Sequence, residues 1–183
     1  TGAARLSASA GLRGGAGLVT VISPAEAAPV HAAHLTAVML KTADSVADLE
    51  AILADARLNA FVLGPGFGVG EKARDFAVMV KDRRVLLDAD AITSFREDRD
   101  LLFSAFGGEP RLVLTPHDGE FVRMFPDLAQ GDRLTRARIG AARHRGRAAP
   151  ARTPTHARRG TEQARSADAD QQGGVSAARH RSR

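Results

Sequence analysis

"NAFVLGPGFGVGEKARDFAVMV" (residues 59–80) passes from an apolar run, through a loop with glycine at Gly64, Gly66, Gly68 and Gly70, into a segment that places Ala73, Phe76 and Val80 on one helical face. The apolar run is short and made of residues that suit a pleated surface, which predicts a strand. The three- and four-residue spacing after it predicts a helix. Strand, glycine loop and helix in that order make one repeat of a parallel sheet with helical crossovers.

The same alternation extends to both sides. "GLVTVI" (17–22), "LTAVML" (35–40), "RRVLLDAD" (83–90) and "RLVLT" (111–115) read as further strands. Most are apolar throughout, as strands covered on both faces must be. Between them, "SVADLEAILADA" (45–56) sets Val46, Leu49, Ile52 and Leu53 on one face of a helix, and the Ala-rich opening (1–17) reads as a helix with glycine at its end. The expected class is therefore α/β with a mainly parallel sheet.

Sheets of this kind collect ligands at the carboxyl ends of their strands, where helices begin and backbone N–H groups point outward. Three polar clusters fall there: "GPGFGVG" (64–70), "DADA" (88–91) and "TPHDGE" (115–120). The glycines permit close backbone approach to a phosphate or ribose, yet there is no P-loop lysine and no dinucleotide spacing. Asp88 and Asp90 suit either a water-mediated magnesium site or the cap of the next helix. In the third cluster Pro116 ends the strand, Asp118 stands at the expected N-cap, and Phe121 and Met124 open an apolar face. His117 is left over by that structural account, and an imidazole beside a helix start is placed to donate to an anionic or carbonyl group.

With no cysteine, the 183-residue chain has neither disulfides nor thiolate metal sites, which fits a cytoplasmic protein. No apolar run approaches the roughly 18 residues of a membrane span, and no signal-peptide pattern is present. The formal charge of +5 is unevenly spread. Residues 139–183 hold ten Arg, no Lys and three acids, so they carry +7 and the first 138 residues −2. Beyond Ile139 the only large aliphatic or aromatic residue is Val175, so the tail has too little apolar surface to offset the entropy of ordering and is expected to be disordered.

Taken in order, "TGAARLSASAGLRGGAGLVTVISP" (1–24), "VLGPGFG" (62–68), "LLDADAI" (86–92), "LVLTPHDGEFVRMF" (112–125) and "GDRLTRAR" (131–138) resemble the NAD(P)HX dehydratase family. That resemblance implies a ribokinase-like three-layer α/β/α fold, incomplete here at both ends, with residues 1–138 as a partial domain and 139–183 as an aberrant tail. It implies a hydro-lyase that repairs the C6 hydrates of NADH and NADPH with ADP or ATP as phosphoryl donor and Mg2+. Phosphorylation turns the hydroxyl into a leaving group that the ring nitrogen's lone pair can expel. Carried over by motif, Ala3, Gly64, Gly66, Gly68 and His117 line the substrate site. Asp88 and Glu120 shape the pocket or support the metal indirectly, Asp88 being the candidate metal residue. Family members are commonly homo-oligomers.

The family's Lys-Gly stretch and Gly-x-Gly-Asp helix start should follow residue 139, and neither is found there. No catalytic residue is therefore assigned, turnover is not expected, and a reading-frame shift near residues 139–143 is the expected origin of the tail. Two alternatives stand beside the dehydratase. One is a vitamin-precursor kinase of the same fold. The other is a non-catalytic remnant whose arginine tail touches nucleic acid, against which stands the lack of any aromatic residue among the arginines.

Overall fold

A computed structural model describes residues 2–107, 111–144 and 147–148, all within one compact unit (Thr1–Arg152). The Arg-rich stretch beyond 148, including the Gly173–Gly174 pair, lies outside the described residues.

Helix α1 (Gly2–Arg13) leads into β1 (Thr20–Ser23), and a 3-10 turn (Ala25–Ala27) runs into α2 (Ala28–Ala32). Then β2 (Met39–Thr42), α3 (Val46–Leu53), β3 (Ala60–Leu63), α4 (Glu71–Met79) and β4 (Arg84–Leu87) alternate. The second half holds α5 (Asp90–Ser94), α6 (Arg99–Ala105), β5 (Leu112–Leu114), α7 (Asp118–Met124), a 3-10 turn (Pro126–Leu128), α8 (Arg133–His144) and β6 (Arg147–Ala148). Every strand pairing among the described residues is parallel.

All five expected strands form, and the pairing departs from expectation in one respect. Among the described residues there are two sheets, β1-β2 and β3-β4-β5-β6, where one was expected. The second strand also starts later than the apolar pattern indicated. His34 N and Leu35 N both donate to His31 O, closing α2 with a turn that uses up the start of the 35–40 run. Coverage is uneven too: β4 and β5 bury alternate residues, whereas Val62 of β3 is 58% exposed, so strands with apolar sequences are not all covered on both faces.

Local chemistry explains the start of α3. Ser45 caps α3 through a reciprocal box in which its hydroxyl accepts from Asp48 N and Asp48 accepts from Ser45 N at 2.9 Å. Those hydrogen bonds, that from the Ser45 side chain foremost, hold the Asp48 carboxyl below its ordinary value. The predicted faces of α3 and α4 pack inward: Leu49, Phe76 and Val80, with Ala77 beside them, join Leu87, Ile92, Phe95, Leu102, Leu112, Leu114, Phe121 and Met124 in one apolar core. Each fully buried Leu or Phe contributes about 1.5–3 kcal/mol, so truncating Leu87 at the centre would cost about 2–5 kcal/mol. Helix α8 runs past the composition break to His144, and a Cβ on Gly140 would lie 3.4 Å from the Phe125 ring and 3.6 Å from that of Phe121. No helix among the described residues is long and apolar enough to cross a membrane.

Candidate active site

The order β3-β4-β5 brings three turns to the same edge of the sheet, and direct contacts tie each to the next. Asp88 N donates to Leu63 O at 3.0 Å, which carries the end of β4 against the end of β3. At the following residue the chains are so close that a Cβ on Gly64, which has φ +124°, would lie 1.7 Å from Asp88 O. Only glycine fits. Further along the loop, Gly68 N donates to Asp90 Oδ2 at 2.9 Å and Gly70 N to Ser94 Oγ at 3.0 Å. On the other side Thr115 Oγ1, one residue past β5, donates to Asp88 Oδ1 at 2.7 Å.

Ala89 lies between the two acids at φ 47°, the only non-glycine residue with positive φ among those described. The kink does provide the turn that a shared Asp88–Asp90 site would need. It nevertheless sends the carboxylates apart, Asp88 to β5 and Asp90 to the glycine loop. No three His, Asp, Glu or Cys side chains gather as metal ligands among the described residues. One carboxylate at a strand end fits a magnesium ion that rides on nucleotide phosphates and keeps several waters; it does not fit a cation held by protein alone.

The TPHDGE turn differs from expectation in its cap. His117, not Asp118, is the N-cap of α7: its Nδ1 accepts from Gly119 N at 3.0 Å and Glu120 N at 3.3 Å. Glu120 completes the box by accepting from His117 N at 2.9 Å through Oε2, while its Oε1 lies 3.3 Å from His117 Nε2. Asp118 is displaced from capping by a competing interaction, since it pairs with Arg133 and lies 3.6 Å from Arg136, both on α8. Arg136 is only 9% exposed, stacks on Phe121 and donates to Leu128 O at 2.7 Å. The His117 turn is thus braced from behind by α8.

Gly64, Gly66, Gly68, Asp88, His117 and Glu120 therefore fall on three adjoining strand ends, as the motifs implied. Ala3 is exposed on α1, which packs against β1. Sequence reasoning missed Thr115, Ser94 and Gly119. A hydroxyl at the last residue before Pro116, and another four positions after Asp90, were the available signals. Chemically the edge offers a glycine loop, a fixed carboxylate and a half-exposed imidazole, an arrangement suited to gripping a polar ligand.

The family model described as NAD(P)H-hydrate dehydratase matches residues 1–146. Among curated proteins, the bifunctional NAD(P)H-hydrate repair enzyme Nnr of Synechocystis is 42% identical over 89 residues, covering 48% of this chain and 16% of that protein. Its counterpart in Gloeobacter violaceus is 34% identical over 148 residues, covering 78% of this chain and 28% of that protein. The chain thus spans less than a third of the length of these relatives. Among solved structures, a ribokinase-like superfamily protein from Enterococcus faecalis superposes with a TM-score of 0.63 at 24% identity, covering 83% of this chain and 53% of that one, a likeness of fold.

Proposed function

The chain belongs to the NAD(P)H-hydrate dehydratase family, and from that membership we propose that its three joined turns form the substrate side of a site for the C6 hydrates of NADH and NADPH. The observation that carries this reading is the linkage Gly68–Asp90 and Asp88–Thr115, which sets the glycine loop and the His117 turn along one edge. In this role the glycine loop lets the dinucleotide phosphates or ribose come close to bare backbone, and His117 contacts an acceptor oxygen of the substrate. Glu120 holds His117, and Asp88 is the carboxylate we assign to the water shell of a nucleotide-borne Mg2+. Ala3 belongs to the same site in the family pattern and is retained on that ground alone.

ADP or ATP would supply the phosphoryl group that makes the C6 hydroxyl a leaving group. Residues 139–183 contain no Gly-x-Gly-Asp to cradle that transfer, so in this reading the chain binds the hydrate and does not dehydrate it. A reducing cytoplasm, where the cofactors are abundant, is the setting that the cysteine-free composition suits.

Calorimetry of the full chain with purified NADH C6 hydrate tests the binding half, and recovery of NADH absorbance with ADP or ATP and Mg2+ tests the catalytic half. Saturable binding, weakened about tenfold by His117→Ala, with no NADH recovered, is the expected result. Absence of binding sinks the substrate assignment; recovered NADH sinks the claim of no turnover.

A further inference from the structure

We infer that His117 is locked as its Nε2–H tautomer and serves as a hydrogen-bond donor to the ligand, not as a proton acceptor, with Gly119 and Glu120 as the residues that position it. The inference rests on the substrate-side reading above for the ligand's identity, and on geometry alone for the state of the ring.

A neutral imidazole has one N–H and one lone pair in its plane. In this chain the Nδ1 lone pair is taken, because two amides at the start of α7 point into it, Gly119 N at 3.0 Å and Glu120 N at 3.3 Å. A proton on Nδ1 would face both donors, so the ring proton belongs on Nε2. That nitrogen in turn lies 3.3 Å from Glu120 Oε1, a carboxylate oxygen near enough to disfavour a bare lone pair on Nε2. Glu120 is itself fixed, being 7% exposed and holding His117 N at 2.9 Å through its other oxygen. Both ends of the imidazole therefore select the same tautomer.

Space matters as much as charge. A Cβ on Gly119 would sit 2.9 Å from His117 Cε1 and 3.2 Å from Nδ1, so the ring can fold back over the helix start only because residue 119 has no side chain. The ring remains 55% exposed, which leaves the Nε2 edge open to a ligand. With its Nδ1 lone pair engaged by two amides of α7, His117 turns its other nitrogen outward. What it can do is present one N–H, held in a set direction, to a hydroxyl, carbonyl or phosphate oxygen. This assigns the third turn to recognition.

Long-range 1H–15N correlation of the uniformly 15N-labelled full chain reads the tautomer directly, with His117→Asn identifying the His117 signals and the buried His31 serving as an internal reference. The expected spectrum has Nδ1 at the unprotonated and Nε2 at the protonated position. Nδ1–H, or shifts averaged between the two forms, overturns the inference. Gly119→Ala should move both nitrogens toward the averaged values and weaken NADH-hydrate binding about tenfold, while the amide signals of β4 and β5 stay in place; unchanged ring signals in this variant overturn the role given to Gly119. Titrating wild type with NADH C6 hydrate separates the two layers. Movement of the Nε2–H signal without a change of tautomer supports the donor role, and a switch to Nδ1–H on binding refutes it. A correct tautomer with no response to the hydrate refutes the substrate assignment instead.

Discussion

Replacing Gly64 by alanine tests how tightly the first two turns are joined. The new Cβ would lie 1.7 Å from Asp88 O, 2.8 Å from the Asp88 carbonyl carbon and 3.0 Å from Ala91 Cβ. None of these is the free end of a flexible side chain. Relief requires the β3 and β4 ends to separate, and Asp88 N donating to Leu63 O at 3.0 Å resists that. Overpacking of a fixed backbone costs about 1–3 kcal/mol, and holding a side chain at positive φ adds about 1–2 kcal/mol, giving about 3 kcal/mol in all. Gly68→Ala is the matched control, because Gly68 also has positive φ, +95°, yet nothing lies within 4 Å of its would-be Cβ. It should cost only the conformational part, about 1 kcal/mol. With a urea slope of about 2 kcal/mol/M, the unfolding midpoint should fall by about 1.5 M for Gly64→Ala and about 0.5 M for Gly68→Ala. Faster hydrogen exchange at the Asp88 amide should accompany the first change and not the second. Equal midpoint shifts would refute the reasoning, since conformational strain alone would then explain both.

Two further outcomes probe the supports around the site. Asp118→Asn leaves the nearly buried Arg136 without its carboxylate, so urea unfolding should show a loss of about 1–2 kcal/mol, part of which Arg136→Met in the same background should restore. Far from the site, the Arg57 guanidinium bonded to Asp55 at 2.8 Å, helped by the Arg57 backbone N–H, holds the Asp55 carboxyl at about 2. A depressed carboxylate stabilises the fold above its unfolded pKa and loses that contribution as pH falls through the folded value, so this pair should weaken only between about pH 4 and pH 2. Arg57→Ala should raise the Asp55 midpoint in a carbon-13 carboxyl titration, and an unmoved midpoint contradicts the assignment.

How far the sequence could be read depended on the range of the interactions involved. Strand and helix identities rest on neighbours within a few residues, which is why Leu49, Phe76, Phe121 and Met124 all pack as their spacing indicated. The placement of the three clusters followed from the topology of parallel sheets, and it held. The cap of α7 was misread because Asp118 is the better capping residue in isolation, and only the arrival of Arg133 and Arg136 from α8 takes it out of competition. The division into two sheets depends on which strand edges meet, and no periodicity within a strand encodes that.

The interlocking of the Gly64, Asp88 and Thr115 turns also limits what protein engineering can borrow from this molecule. Grafting the histidine-bearing segment alone onto another scaffold would leave behind the aspartate its threonine grips, and transplanting the glycine segment alone would leave behind the carbonyl that demands a bare Cα. The smallest portable piece is three neighbouring strand ends moved together, in their original order.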